Sequence, residues 1–263
     1  MKPLQVFLNN IAGKPIALFY LAALVLCLAG CGSDKPSDAP SVTSSPSQNI
    51  NKQSPSPNSP LKEHGAGVLH DTGVETFAIG LGSDDTLAIM QGISLLEQAT
   101  VAAPDETIYW IDLADAYLSS GIALQYPHAI DIFWMLYQEG DSQKDPLLAR
   151  LTEAYALVGN YDAAFTVAKA RLQQAKAEHS DMAALQLVLL APGNGRFAET
   201  SRALVDKSAE LGGRDYLLLL ASTIEDLSGN TQAATKLLDQ ALAKIDNPEL
   251  AKYASQVRER MTP

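Results

Sequence analysis

An all-α fold built from one repeated helical hairpin is what this chain predicts, and three observations carry it. Residues 145–172 read as two amphipathic helices joined by a tight turn. Glycines at turn positions, Gly121, Gly159, Gly195 and Gly229, are separated by 38, 36 and 34 residues. Val, Ile and Thr do not fall into the alternating runs, bounded by turn residues, that strands require.

Residues 145–172 supply the template. Asp145-Pro146 starts a helix, with an acceptor side chain at the N-cap and a proline whose missing N–H costs nothing there. Leu148, Leu151 and Tyr155 then lie on one face. Gly159-Asn160 tolerates the positive φ of a turn. The second helix presents Ala164, Ala168 and Leu172 at four-residue spacing, small enough for close approach. One hairpin cannot bury such a face alone, so it needs neighbours of its own kind.

The chain opens differently. Lys2 and Lys14 are the only charges of residues 1–30, and an apolar run of thirteen residues, 16–28, follows them. That is short of the roughly twenty a membrane span needs and suits the h-region of a secretory signal. Leu28-Ala29-Gly30-Cys31 resembles the bacterial lipoprotein signal, in which cleavage precedes an acylated cysteine. The resemblance implies a lipid on Cys31 and a body held in the cell envelope. Gly32 stands where an aspartate would resemble an inner-membrane retention signal, which implies the outer membrane, facing the periplasm.

With Cys27 in the signal and Cys31 lipidated, no cysteine remains for a disulfide or a thiolate metal site. Without the signal, 17 basic residues face 30 acidic ones. Such a surface repels nucleic acid and anionic lipid heads, and leaves the lipid as the membrane contact. A partner with basic groups is expected instead.

Residues 31–63, rich in proline and serine, form a linker too poor in apolar residues to build a core. At about 3.1 Å per extended residue it reaches up to ~90 Å. In residues 64–85, Phe77, Ile79 and Leu81 alternate as in a short strand, but Gly65, Gly67, Gly73, Gly80 and Gly82 interrupt them. An irregular Gly-rich arm is the expectation. From residue 86 to 263 the chain reads as continuously helical, with helix starts at Asp105-Glu106, Asp145-Pro146, Ser180-Asp181 and Asn247-Pro248.

The glycine spacing converges on the 34-residue period of tetratricopeptide repeats, two antiparallel helices per unit. Trp110, Leu113, Ala114 and Tyr117, followed by Ala129 and Phe133, resemble that family's pattern. So do Leu148, Leu151, Tyr155 and Ala164, although Thr152, Ala168 and Arg171 depart from it. Leu187, Phe197 and Leu204 form a weaker unit that meets Pro192. The last has Leu218, Ala221, Ala234, Leu238 and Ala241. Gly92, Leu96, Ala99 and Pro104 match the second half of an earlier unit. Leu250, Ala254, Val257 and Met261 give a final helix one apolar face, as a cap requires. The resemblance implies a right-handed α-solenoid of about four to five helix pairs with a C-terminal capping helix.

Catalytic motifs are missing: there is no GxSxG, HExxH, SxxK or EF-hand loop. His64, His70, His128 and His179 are too scattered for metal-ligand spacing, and no cofactor or metal is expected. Asp112 with Asp115, and Glu225 with Asp226, are the carboxylate pairs that could do acid–base work if burial split their pKa values. Solvated acids on a helical surface are the plainer reading, and no enzyme is expected.

The family's first helices line a concave groove, and the resemblance implies which residues would face it here. They are Ile108, Ile111, Asp112, Asp115 and Leu118, then Ala149, Arg150, Glu153 and Ala156. Leu185, Gln186 and Leu189 follow, then Leu219, Thr223 and Asp226. An apolar strip with an acidic rim fits a protein or peptide with apolar anchors and basic side chains. The expected role is a lipid-anchored scaffold or adaptor for a cell-envelope complex. Two alternatives stand beside it. One is self-association through Tyr253, Val257 and Met261. The other is an enzyme using the Asp112–Asp115 pair. A further possibility is that the arm itself fills the groove.

Overall fold

The computed structural model describes residues 60–140 and 144–261. Cys31, the signal segment and most of the linker lie outside the described residues. Within them the chain forms two compact units divided between His179 and Ser180, and no strand occurs.

The first unit holds three hairpins. They are α1 (Pro60–Ser83) with α2 (Thr86–Ala102), α3 (Thr107–Ser119) with α4 (Tyr126–Gln138), and α5 (Lys144–Leu157) with α6 (Tyr161–Gln174). A short 3₁₀ turn, Ala123–Gln125, precedes α4. The second unit holds α7 (Ser180–Asn194) with α8 (Phe197–Glu210), α9 (Asp215–Leu227) with α10 (Thr231–Leu242), and a last helix, α11 (Pro248–Met261). Five helix pairs and a terminal helix are thus present among the described residues, within the four to five pairs and cap that the resemblance implies.

Turn chemistry explains the register. Gly159 and Gly229 sit at φ 75° and 83°, each just past the end of a first helix. The following asparagine caps the second helix in both cases. Asn160 Oδ1 accepts from Ala163 N at 3.2 Å, and Asn230 Oδ1 from Ala233 N at 3.4 Å. A Gly-Asn pair therefore ends one helix and starts the next within two residues.

The N-terminal region corrects the sequence reading. Residues 64–85 are not an irregular arm, and Phe77, Ile79 and Leu81 are not a strand. Residues 64–83 belong to α1, which begins at Pro60, inside the expected linker, and Asp84 and Asp85 form the turn into α2. Ala66, Gly73 and Gly80 recur every seven residues and are buried. Gly73 and Gly80 meet α2. A Cβ on Gly80 would come within 2.6 Å of Ile89 N, and one on Gly92 within 2.6 Å of Phe77 N. Single glycines weaken a helix, but along one face they let two backbones touch. The first half of the earliest repeat, which the sequence reading lacked, is this helix.

The core of the first unit runs from Ile89, Ile93 and Leu96 through Leu113, Tyr117 and Phe133 to Leu148, Leu151 and Val167. Phe133 and Phe165 are fully buried, and truncating either to alanine would cost about 3–5 kcal/mol. Arg171, which departs from the repeat pattern, has its own account. Only 9% exposed, it donates from Nε to Asp145 Oδ1 and from a terminal nitrogen to Asp145 Oδ2, both at 3.0 Å. Asp145 thus ties the start of α5 to the end of α6.

In the second unit α9 is surrounded by α7, α8 and α10. Leu217, Leu218, Leu219, Leu220 and Ile224 are all buried, as expected of a helix that is apolar nearly all round. Ser222 Oγ donates to the Ala234 carbonyl at 2.8 Å. Pro192 falls in the last turn of α7 and does not end it early. Ala254 and Val257 of α11 pack on Leu238 and Ala241, and Arg258 reaches Asp239 at 3.1 Å. Val257 is therefore core, not a free seam for self-association. The side chains of Tyr253 and Met261 lie outside the described residues.

Candidate partner-binding site

The groove residues expected on α3 and α5 divide into two groups. Leu118 is buried in the core of the first unit, while Ile108 is 48% exposed and Ile111 is partly buried against that core. The polar residues form one continuous cluster across α1, α3 and α5.

Its centre is Arg150, on α5. The guanidinium places Nε 3.0 Å from Asp115 Oδ1 and a second nitrogen 3.1 Å from Asp115 Oδ2, on α3. Its other terminal nitrogen donates to Glu153 Oε2 at 3.2 Å, one turn along α5. Burial raises the Asp115 carboxyl above its ordinary value. The Arg150 charge works against that rise, and the nearby Glu153 and Asp112 carboxylates add to it. Two acids thus share one cation, and Arg150 remains 47% exposed at its side chain.

Asp112 lies one turn along α3 and is occupied from another direction. His70 of α1 approaches with Nε2 2.7 Å from Asp112 Oδ2 and Nδ1 3.0 Å from Asp71 Oδ1. Its ring stacks on Tyr109 with centroids 4.4 Å apart and planes 24° from parallel. The His70 side chain is only 14% exposed. This N-terminal segment, expected as an irregular arm, therefore does cover the groove seat at Asp112, through His70.

Three of the four paired carboxylates have partners of their own. Asp112 is tied to His70 and Asp115 to Arg150. Glu225 accepts from Asn230 Nδ2 at 2.8 Å and so supports the cap of α10. Further along α3, burial and then the hydrogen bond to Glu97 Oε1 push the Tyr117 hydroxyl upward. Among the described residues no cluster of ligand-type side chains could hold a metal.

The seats expected in the second unit are corrected in part. Leu219 is 1% exposed and belongs to the core around α9, and Gln186 is 5% exposed. Both were assigned by family phasing, but α9 has neighbours on too many sides to present Leu219 outward. Leu185, Leu189 and Thr223 are half-buried, and Asp226 is exposed. His70 and Tyr109 are the site residues that sequence reasoning missed. His70 meets Asp112 across 42 residues, and no local spacing signals such a pair.

No family model matches the chain, and no curated protein matches it in sequence. Solved structures are similar in fold. One is titled a crystal structure of MamA protein; it is 16% identical, with a TM-score of 0.48, over 68% of this chain and 91% of that one. Another is titled YrrB, a TPR protein with an unusual peptide-binding site. It is 14% identical, with a TM-score of 0.42, over 70% of this chain and 90% of that one. The helical hairpins, their glycine turns and their asparagine caps are properties of this chain itself.

Proposed function

We propose that this protein is a scaffold or adaptor that binds a protein partner through the shared face of α3 and α5. The observation that carries this reading is the Asp115–Arg150–Glu153 cluster, which is partly open to solvent, with the exposed Ile108 two turns away on the same face of α3. Ion pairs on a protein surface contribute little to stability by themselves. Here a cation between two acids shares a helix face with an apolar side chain, as a polar rim with an anchor seat does. A partner segment with a basic side chain could take over one carboxylate while an apolar residue covers Ile108.

The lipoprotein-like sequence around Cys31 supports an envelope location, with the body tethered to the outer membrane through the linker. In that setting the protein would hold a partner of a cell-envelope complex near the membrane. Labelling with radioactive palmitate tests the anchor. Label should appear on the wild type and disappear in Cys31→Ala; label that persists removes the anchor from this reading.

Photo-crosslinking from positions 108, 115 and 153 in whole cells tests the face. One recurrent partner should be captured, and Asp115→Lys with Glu153→Lys should abolish its capture. Crosslinks confined to residues 60–83 of the same chain would mean that α1 fills the face.

A further inference from the structure

Residues 65–140 contain eleven Asp and Glu and no Lys or Arg. Within this all-anionic stretch α2 displays an apolar stripe to solvent. Leu87 is 72% exposed, Met90 53% and Val101 78%, and exposed Ser94 lies between them. These positions follow the 3.6-residue period, so they share one side of α2. It is the side away from Gly92, which packs on Phe77 of α1. Fourteen steps of about 1.5 Å from Leu87 to Val101 make the stripe roughly 20 Å long. Acids bracket it: Asp84 and Asp85 precede Leu87, Glu97 lies along it, and Asp105 and Glu106 follow Val101.

An end hairpin of a repeat array needs a polar outer face unless something covers it. The opposite end of the chain obeys this rule: Arg258 and Glu259 are exposed on α11. The α2 stripe does not.

We infer that the outer face of α2 is a second docking surface, and that its occupant is a protein segment, an amphipathic helix with Lys or Arg flanking its apolar side. Helix-on-helix docking suits a stripe of this length. Charge selects the occupant. A second copy docking through the same face would bring Asp84, Asp85, Asp105 and Glu106 against their equivalents, with no cation in residues 65–140 to offset them. An anionic membrane surface is disfavoured for the same reason. This inference is independent of the Arg150 face.

The test uses the full chain and two synthetic fifteen-residue helical peptides with the same leucine face, one flanked by lysines and one by glutamates. Fluorescence anisotropy should show binding of the lysine peptide alone. The triple variant Leu87→Ser, Met90→Ser, Val101→Ser should weaken it at least tenfold, while Asp115→Asn with Glu153→Gln should leave it unchanged. Circular dichroism of the triple variant should match the wild type, since all three side chains are exposed. Equal binding of both peptides, or equal affinity in the triple variant, overturns the inference. So does wild-type self-association, or adsorption to neutral phosphatidylcholine vesicles, that the triple variant abolishes. Loss of binding in the Asp115/Glu153 variant instead would assign the peptide to the Arg150 face.

Discussion

His70 Nε2 stands 2.7 Å from Asp112 Oδ2, and the same ring stacks 4.4 Å from Tyr109. One α1 side chain thus joins two consecutive turns of α3. Contact between these helices is otherwise slight, because α1 packs chiefly on α2. Replacing His70 with alanine should release this side of α1. A charge-assisted hydrogen bond contributes about 1.5–3 kcal/mol when partly buried, so a local loss near the lower end is expected. Hydrogen exchange should accelerate in residues 60–83 and stay unchanged in α5 and α6. Uniform acceleration across the first unit would mean that the contact supports the whole unit.

The glycine face of α1 and α2 predicts opposite outcomes for one kind of substitution. Gly92→Ala would push a methyl to within 2.6 Å of the Phe77 backbone, and overpacking of this kind costs about 1–3 kcal/mol. Gly82→Ala meets nothing within 4 Å and should stabilise by about 0.4–1 kcal/mol by restricting the unfolded chain. Denaturant midpoints of the two variants should fall on opposite sides of the wild type. Equal midpoints would refute the close helix approach.

Asp145→Ala should cost about 3 kcal/mol, the lower end for breaking a buried pair, because it strips the carboxylate from a guanidinium that is 9% exposed. Breaking a buried pair is costly for the partner left behind. Adding Arg171→Leu to Asp145→Ala should recover much of that loss. A double variant no more stable than the single one would show that Arg171 does more for the fold than meet Asp145.

The pH dependence of Asp115 has a definite sign. Its folded carboxyl titrates above the ordinary value of 3.8, chiefly through burial. Folding therefore takes up a proton between the unfolded and folded values, and this group's contribution to stability rises as pH falls through that window. Above the window the ionised, part-buried carboxylate weighs against the fold. Asp115→Asn loses an exposed ion pair of about 0–1 kcal/mol. Thermal unfolding should show the variant gaining on the wild type at pH 7 relative to pH 4. A difference that is flat with pH, or of the reverse sign, would contradict the raised value.

Helix content and hairpin boundaries were open to reading from sequence because their causes are local. Gly159-Asn160 and Gly229-Asn230 announce their turns through two residues each, and the apolar period reports which helix faces seek burial. The same logic failed at α1. Its glycines read as breakers until their partner, α2, was known, since a close approach belongs to two helices at once. Leu219 failed for a related reason. Family phasing places it on the groove side of its helix, but the number of neighbours decides whether that side is also covered.

The all-α class, the antiparallel pairing of helices, the turn register and the acidic character follow from the linear chain, because propensity, capping and composition act within a few residues. The tertiary structure alone decided that α1 joins the array, that His70 closes over Asp112, that Arg171 is buried beside Asp145, and that Arg150 lies between Asp115 and Glu153. Each of these pairs residues far apart in the chain or a side chain with its degree of burial. Such pairings follow from how helices pack, which no local spacing records.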